Sequence, residues 1–146
     1  MSRVLYFAYG SNLDPEQMAS RCPSARVAFL ARLADHRLDF TYFSTRWSGG
    51  SADVVRHFGE SVWGVVYQLD AAELQRLDHF EGGYQRVFLP VRDDQERSWH
   101  VISYEVPLKR SFRPTHGYIQ KILLWGEHWG LPQSYLEQLR RTPVSD

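Results

Sequence analysis

A polar turn, Tyr9-Gly10-Ser11-Asn12, ends the short apolar stretch that begins at Val4 and is typical of a strand. Asp14 and Pro15 suit the N-cap and first position of a helix, and Gln17 is placed to reach back to that cap. The chain therefore passes from a strand into a helix at a glycine, where several backbone N–H groups lack partners. Such a corner can hold a carboxylate, a phosphate or a developing oxyanion. A tight connection without a ligand is the alternative.

The second candidate site is Glu81, within the segment Leu77–Tyr84. Phe80 and Tyr84 offer an apolar lining, which would raise the pKa of the carboxyl towards neutral pH and suit it to proton transfer. Gly82-Gly83 would let the backbone approach closely or adopt a shape that other residues cannot. The alternative is a glutamate that is merely solvated at the C-terminus of a helix, where its charge is slightly unfavourable.

Together the two segments resemble the gamma-glutamylcyclotransferase family, whose members carry a Tyr-Gly-Ser-Asn loop after the first strand and a catalytic glutamate in a Leu-Asp-x-x-Glu-Gly setting. Both patterns occur here in the expected order, as Tyr9–Asn12 and Leu77–Gly82. The resemblance covers nearly the whole chain. Further similar stretches are Ala31-Arg32-Leu33, Leu38-Asp39-Phe40, Val62–Tyr67, Ser103-Tyr104 and Gly130-Leu131-Pro132.

The resemblance implies a reaction in which the substrate's α-amino group attacks its own γ-glutamyl carbonyl, which gives 5-oxoproline and a free amine. Glu81 would be the general base and then the acid, while the Tyr9–Asn12 backbone would hold either the α-carboxylate or the oxyanion. Tyr6 and Ala8 share a side of the strand with Gly10, so they are expected at the pocket floor. Tyr104 would bind the substrate or have a purely structural role. No cofactor is implied.

The leaving group stays open at this point. γ-Glutamyl amino acids or related amides are the first hypothesis for the substrate. γ-Glutamyl amines and a γ-glutamyl protecting group on a specialised metabolite are the alternatives with the same chemistry, and the basic loop Lys109–Arg113 does not choose among them. A non-catalytic module of the same fold, which binds a small carboxylate or a partner protein, is the alternative from another class. Glu81 argues against such a module, because binding alone has no evident need for a carboxylate beside an anion-holding loop.

Composition limits the other function classes. The 146 residues suit one domain, 1–146, and 17 basic and 17 acidic residues give no net charge that would favour nucleic acid or an anionic membrane. The longest apolar runs are too short to span a bilayer, and no signal peptide is recognisable. Cys22 is the single cysteine, which fits a reducing cytoplasm. We expect a cytoplasmic monomer or homodimer with a small-molecule substrate.

Metal and nucleotide sites are not predicted. The six histidines are scattered without the spacing of metal ligands, and no Walker-type lysine follows the glycine turn. His79 is the one histidine of interest, because it lies two residues from Glu81 and could perturb its pKa.

The elements that must position these residues are predicted from periodicity and capping signals. Asp70–Glu73 forms a capping-box pattern before a short helix, and Thr115 can cap a helix that runs to about Trp129. A last helix begins after Pro132. These signals predict an α+β fold with a largely antiparallel sheet, and the resemblance implies that the sheet closes into a small β-barrel with helices at its ends. The predicted strands are 4–9, 25–33, 37–44, 52–58, 62–69, 84–91 and 99–106.

Overall fold

The computed structural model describes residues 2–146, which form a closed five-stranded barrel with helices around it. Neighbouring strands follow the order β1-β3-β2-β4-β5 and pair antiparallel, except that β1 and β5 close the barrel in parallel at Tyr6 and Ile102. The predicted α+β barrel is confirmed. The strands are β1 Arg3–Ala8, β2 Arg26–Ser44, β3 Gly49–Asp70, β4 Gln85–Arg92 and β5 Ser98–Glu105, and the helices are α1 Pro15–Arg21, α2 Leu74–Phe80, α3 His116–Trp129 and α4 Gln133–Arg140.

Two long strands, β2 and β3, replace the four short strands that the sequence predicted between residues 25 and 69. The expected breaks are irregularities within a continuous ladder, since Asp35 and Gly59 adopt positive φ angles of 57° and 87° and the Cα register shifts between Ala34 and His36. The Gly59 N–H donates to the Asp35 carboxylate at 3.0 Å. Turn-forming residues therefore mark a bulge here, and the ladder continues past it.

The start of α2 differs from the predicted capping box. A short 3-10 turn, Ala71–Glu73, comes first, and the Asp70 side chain accepts no capping bond. Asp70 instead accepts from the Arg3 guanidinium at 2.8 Å, and the Glu73 carboxylate accepts from Ser24. Both carboxylates hold neighbouring segments and are therefore not free to cap. The helix is anchored by Leu74 and Leu77, which are buried.

Three helix boundaries follow the local sequence signals. The Asp14 carboxylate accepts from the N–H groups of residues 16 and 17, and the Thr115 hydroxyl accepts from the Tyr118 N–H. Gly130 ends α3 with a left-handed φ of 80°. Gln17, however, does not reach back to the cap, because its side-chain amide donates to Ser11 and Asn12. No helix in the described range 2–146 combines the length and apolar character that crossing a membrane requires.

The barrel fixes the two candidate segments relative to each other. β1 leads directly into the turn at Tyr9–Asn12, and its C-terminal end is tied to β5 by the Ser103 hydroxyl, which donates to the Phe7 carbonyl at 2.9 Å. α2 packs its fully buried Leu77 into the core, and Glu81 follows as the C-cap residue of that helix. Both segments are therefore attached to rigid parts of the fold.

Gly64 on β3 offers a test of this packing. A Cβ atom there would lie 2.1 Å from the Ala8 carbonyl oxygen, which is backbone and cannot move without disturbing the β1–β3 pairing. We expect Gly64→Ala to lower the free energy of unfolding by about 3 kcal/mol in urea denaturation. The control is Gly117→Ala in α3, where a Cβ meets nothing within 4 Å and should stabilise by about 0.5–1 kcal/mol. Equal stability of Gly64→Ala and wild type would contradict the close approach.

Candidate active site

A cavity of about 330 Å³ lies between the Tyr9–Asn12 turn, the end of α2 and the β2–β3 hairpin. It includes most of the residues that the sequence singled out, namely Tyr6, Tyr9, Gly10, Ser11, Asn12, Glu81 and Tyr104. Ala8 is the exception, because its side chain is fully buried and does not line this cavity. Of the two residues expected at the pocket floor, Tyr6 therefore lines the cavity and Ala8 does not.

Glu81 directs its carboxylate into this cavity. Its backbone N–H caps α2 by donating to the Leu77 carbonyl at 3.0 Å, which fixes the residue at the helix end. Oε1 accepts from Asn12 Nδ2 at 3.0 Å and lies 3.9 Å from Arg21 Nη1. The Glu81 side chain is only 16% exposed. The carboxylate is thus held by one amide and one guanidinium, close to the turn at Asn12.

The orientation of the Asn12 amide follows from a chain of hydrogen bonds that begins at Lys121. An ammonium group can only donate, so Gln17 must present its oxygen to Lys121 Nζ, 2.6 Å away. The Gln17 Nε2 then donates to Asn12 Oδ1 at 2.9 Å. Asn12 must therefore direct its Nδ2 the other way, towards the acceptor Glu81.

Two further contacts support this orientation. Arg21 Nη1 donates to Asn12 Oδ1 at 3.0 Å, and Gln17 Nε2 also donates to the Ser11 hydroxyl at 2.8 Å. Asn12 Nδ2 reaches the Tyr6 hydroxyl at 2.9 Å as well as Glu81. The amide of Asn12 is therefore a fixed donor shared between a tyrosine hydroxyl and the carboxylate.

Burial raises the pKa of the Glu81 carboxyl to about 7. The positive charge of Arg21 and the hydrogen bond from Asn12 lower that pKa, and the nearby Asp78 raises it slightly, but the loss of hydration dominates. The direction agrees with the expectation from the sequence. A carboxyl with this pKa exchanges protons at neutral pH, which is what a general acid–base residue requires.

Several residues that line the cavity carry hydrogen-bond donors without protein acceptors. Within residues 2–146, the N–H groups of Gly10, Ser11 and Asn12 donate to no other group. The Tyr6 and Tyr118 hydroxyls each accept a bond, from Asn12 Nδ2 and from the Ala52 N–H, while their own protons have no acceptor in that range. Burial raises the pKa of both tyrosines, so they stay protonated and can donate to a ligand.

Tyr104 has a defined structural partner. Its hydroxyl donates to Asp78 Oδ1, and the same carboxylate accepts from Arg86, while the Tyr9 hydroxyl donates to the Tyr104 carbonyl at 2.6 Å. These bonds connect β5 to α2 and to the turn before Gly10. Tyr104 still lines the cavity, so its ring forms part of the wall.

Comparisons with known proteins show the family of the chain. A profile of the AIG2-like family matches residues 61–139, which include Glu81 and Tyr104. The chain belongs to the AIG2-like family. It is 38% identical to the mouse protein gamma-glutamylcyclotransferase, over 93% of this chain and 77% of that one.

Two further relatives extend the likeness to the whole fold. The human gamma-glutamylcyclotransferase is 35% identical to this chain. The alignment covers 97% of this chain and 80% of the human protein. A solved structure of a gamma-glutamyl cyclotransferase superposes with a TM-score of 0.95 at 34% identity, over 99% of this chain and 90% of that chain. This member of the AIG2-like family therefore shares both fold and sequence with proteins of that name.

Several residues of the site were not identified from the sequence. Gln17 and Arg21 lie four residues apart on α1, so they share a helix face, and this spacing could have indicated that both point to the preceding turn. Lys121 and Tyr118 come from α3, more than a hundred residues after that turn, and no local pattern links them to it. His79 lines the cavity, but the shift of the Glu81 pKa comes from burial, Arg21, Asn12 and Asp78.

Arg21 offers a test of the electrostatics at Glu81. Since its guanidinium lowers the carboxyl pKa, Arg21→Gln should raise the pKa of Glu81 above 7, by about 1. The measurement is an NMR titration of the ¹³C-labelled glutamate carboxyls, with Glu81 assigned from the Glu81→Gln spectrum. Arg76→Gln, which removes an exposed arginine on α2, should leave the pKa of Glu81 unchanged. An unchanged Glu81 pKa in Arg21→Gln would contradict this electrostatic coupling.

Proposed function

We propose that the protein is a γ-glutamylcyclotransferase, which converts a γ-glutamyl compound into 5-oxoproline and a free amine. The observation that carries the proposal is Glu81, a cavity carboxyl with its pKa raised to about 7 and a fixed donor, Asn12, at 3.0 Å. Family membership supports the same activity, since the relatives described above bear this name.

The cyclisation needs little chemical machinery, because its nucleophile is already part of the substrate. Binding must fold the glutamyl chain so that the α-nitrogen approaches the γ-carbon, which replaces an encounter in solution by a unimolecular step. One C–N bond forms and one C–N bond breaks, and no electrons enter or leave. The balanced reaction therefore calls for no cofactor. Within residues 2–146, no group of three His, Cys, Asp or Glu side chains is arranged to hold a metal ion.

Glu81 carries the protons in this proposal. The ionised carboxylate accepts a proton from the α-ammonium, which frees the nitrogen lone pair for attack. After the ring closes, two protons in total have moved from the α-nitrogen to the leaving nitrogen, so Glu81 acts first as base and then as acid. A pKa of about 7 suits both directions, because neither protonation state is strongly disfavoured at neutral pH.

The unpaired donors of the cavity receive the substrate's oxygen atoms. The N–H groups of Gly10, Ser11 and Asn12 form one set, and the hydroxyls of Tyr6 and Tyr118 form the other. One set holds the α-carboxylate and the other receives the oxygen that gains negative charge at the γ-carbon. Because all five groups are fixed by the fold, little reorganisation is needed as the charge develops.

We also propose a cytoplasmic enzyme with a small-molecule substrate. The buried, single Cys22 supports a reducing compartment, and a formal net charge of zero supports a partner other than nucleic acid.

The test is 5-oxoproline release from γ-glutamyl dipeptides and amides by the wild type and Glu81→Gln. We expect Glu81→Gln to lower kcat by at least about 100-fold while the fold is kept, because the amide cannot accept the α-ammonium proton. Glu16→Gln is the matched control, since Glu16 is exposed on α1 and does not line the cavity. Undiminished turnover by folded Glu81→Gln would place the base elsewhere. Binding of γ-glutamyl ligands without any turnover by the wild type would support a non-catalytic module instead.

A further inference from the structure

The turn that follows α2 carries Glu81 and offers little packing surface of its own. The Tyr84 N–H donates to the Glu81 carbonyl at 3.0 Å, which closes the turn around Gly82 and Gly83. Neither glycine has a side chain that could pack against the rest of the protein. The position of the Glu81 carboxylate therefore depends on contacts that other elements make with this turn.

Tyr42, on β2, packs directly on the turn. Gly83 adopts a positive φ of 90°, and a Cβ atom there would lie 2.2 Å from Tyr42 Cζ. The tyrosine ring therefore occupies the space in which any other residue at position 83 would place its side chain. The ring also packs edge-on against the Tyr84 ring, with centroids 5.6 Å apart, and the Tyr84 hydroxyl donates to the Ala52 carbonyl at 2.6 Å. Gly83 and Tyr84 are thus both held by the β2–β3 hairpin.

The Tyr42 ring also separates two cavities. Tyr42 lines the cavity that contains Glu81, and it lines a neighbouring groove of about 320 Å³ whose other walls include Gly83 and several apolar side chains. Without the ring, the groove and the cavity would join beside the turn, and water would have a second path to Glu81. The Tyr42 backbone carbonyl accepts from the Ser51 hydroxyl, whereas the Tyr42 hydroxyl has no hydrogen-bond partner within residues 2–146. The contribution of this side chain therefore comes from its ring.

We propose that Tyr42 is a positioning residue, whose ring fixes the turn 81–84 and keeps water away from the carboxyl group that the turn carries. The inference rests on the proposed cyclotransferase function. A displacement of about 1 Å at a reacting group can cost about 100-fold in rate, so a contact that fixes the turn should affect kcat. Burial raises the pKa of Glu81, so a contact that excludes water should affect this pKa as well.

The experiment follows 5-oxoproline release from γ-glutamylalanine as a function of pH. Tyr42→Ala should lower kcat by about 10- to 100-fold, and the midpoint of kcat/KM should move from near 7 towards the ordinary glutamate pKa of about 4.3. The midpoint falls because water stabilises the ionised carboxylate, while the neighbouring charges of Arg21 and Asp78 are unchanged. Tyr42→Phe should restore both values, since it keeps the ring.

A second variant and two controls test the contact from its other side. Gly83→Ala should produce the same two changes, because its Cβ would displace the Tyr42 ring. Gly59→Ala is the control for Gly83→Ala, since Gly59 has a similar φ of 87° but a Cβ there meets nothing within 4 Å. Phe43→Ala is the control for Tyr42→Ala, because Phe43 is an exposed aromatic residue of the same strand that does not line the Glu81 cavity. Both controls should keep the wild-type kcat and midpoint.

The outcomes separate this inference from the function on which it rests. An active wild type whose midpoint is unchanged in Tyr42→Ala and Gly83→Ala would overturn the positioning role and keep the cyclotransferase. A loss of activity that Tyr42→Phe does not restore would do the same, since the hydroxyl would then be the essential group. A wild type that releases no 5-oxoproline from γ-glutamyl dipeptides or amides would overturn the proposed function and this inference with it. Circular dichroism establishes that each variant is folded, and Gly83→Ala decides if Tyr42→Ala does not fold.

Discussion

The structure of the site depends on one constraint, which is that the ammonium of Lys121 can donate hydrogen bonds but cannot accept them. This fixes the Gln17 amide, then the Asn12 amide, and finally directs the Asn12 N–H group to the Glu81 carboxylate. Lys121 also lies 3.3 Å from the carboxylate of Asp14, which caps α1. Helix capping, the turn after β1 and the carboxyl group are therefore parts of one hydrogen-bonded unit, and a change at any member reaches Glu81.

Much of the fold could be predicted because its signals are local. A cap such as Asp14 or Thr115 acts on residues within one helical turn, and Gly130 meets a φ requirement at its own position. The long strands could not be predicted in the same way, since Asp35 and Gly59 carry residue types that suit a turn and a bulge equally well. The partner strand decides whether a turn or a bulge forms, and here its pairing resumes on the far side of the irregularity.

The candidate site likewise has parts that local motifs predict and parts that depend on distant segments. The Tyr9–Asn12 turn and Glu81 belong to short motifs that a sequence displays directly. Tyr118 lines the cavity and Lys121 bonds to Gln17 only because the fold brings α3 to that turn. Closure of the barrel itself depends on contacts such as Tyr6 with Ile102, nearly a hundred residues apart. Ala8 shows the limit of alternation in a strand, because a residue on the predicted face can be fully buried without lining the cavity.

The pH dependence of kcat/KM for γ-glutamylalanine, measured for the wild type and Arg21→Gln, tests the role of Glu81 most directly. If the ionised carboxylate is the base, activity is low below its pKa and rises with pH through a midpoint near 7. Loss of the Arg21 charge should move that midpoint to higher pH, while the ionisation of the substrate is the same for both enzymes. A midpoint near the ordinary glutamate pKa of about 4.3, or one that stays in place in Arg21→Gln, would contradict the account.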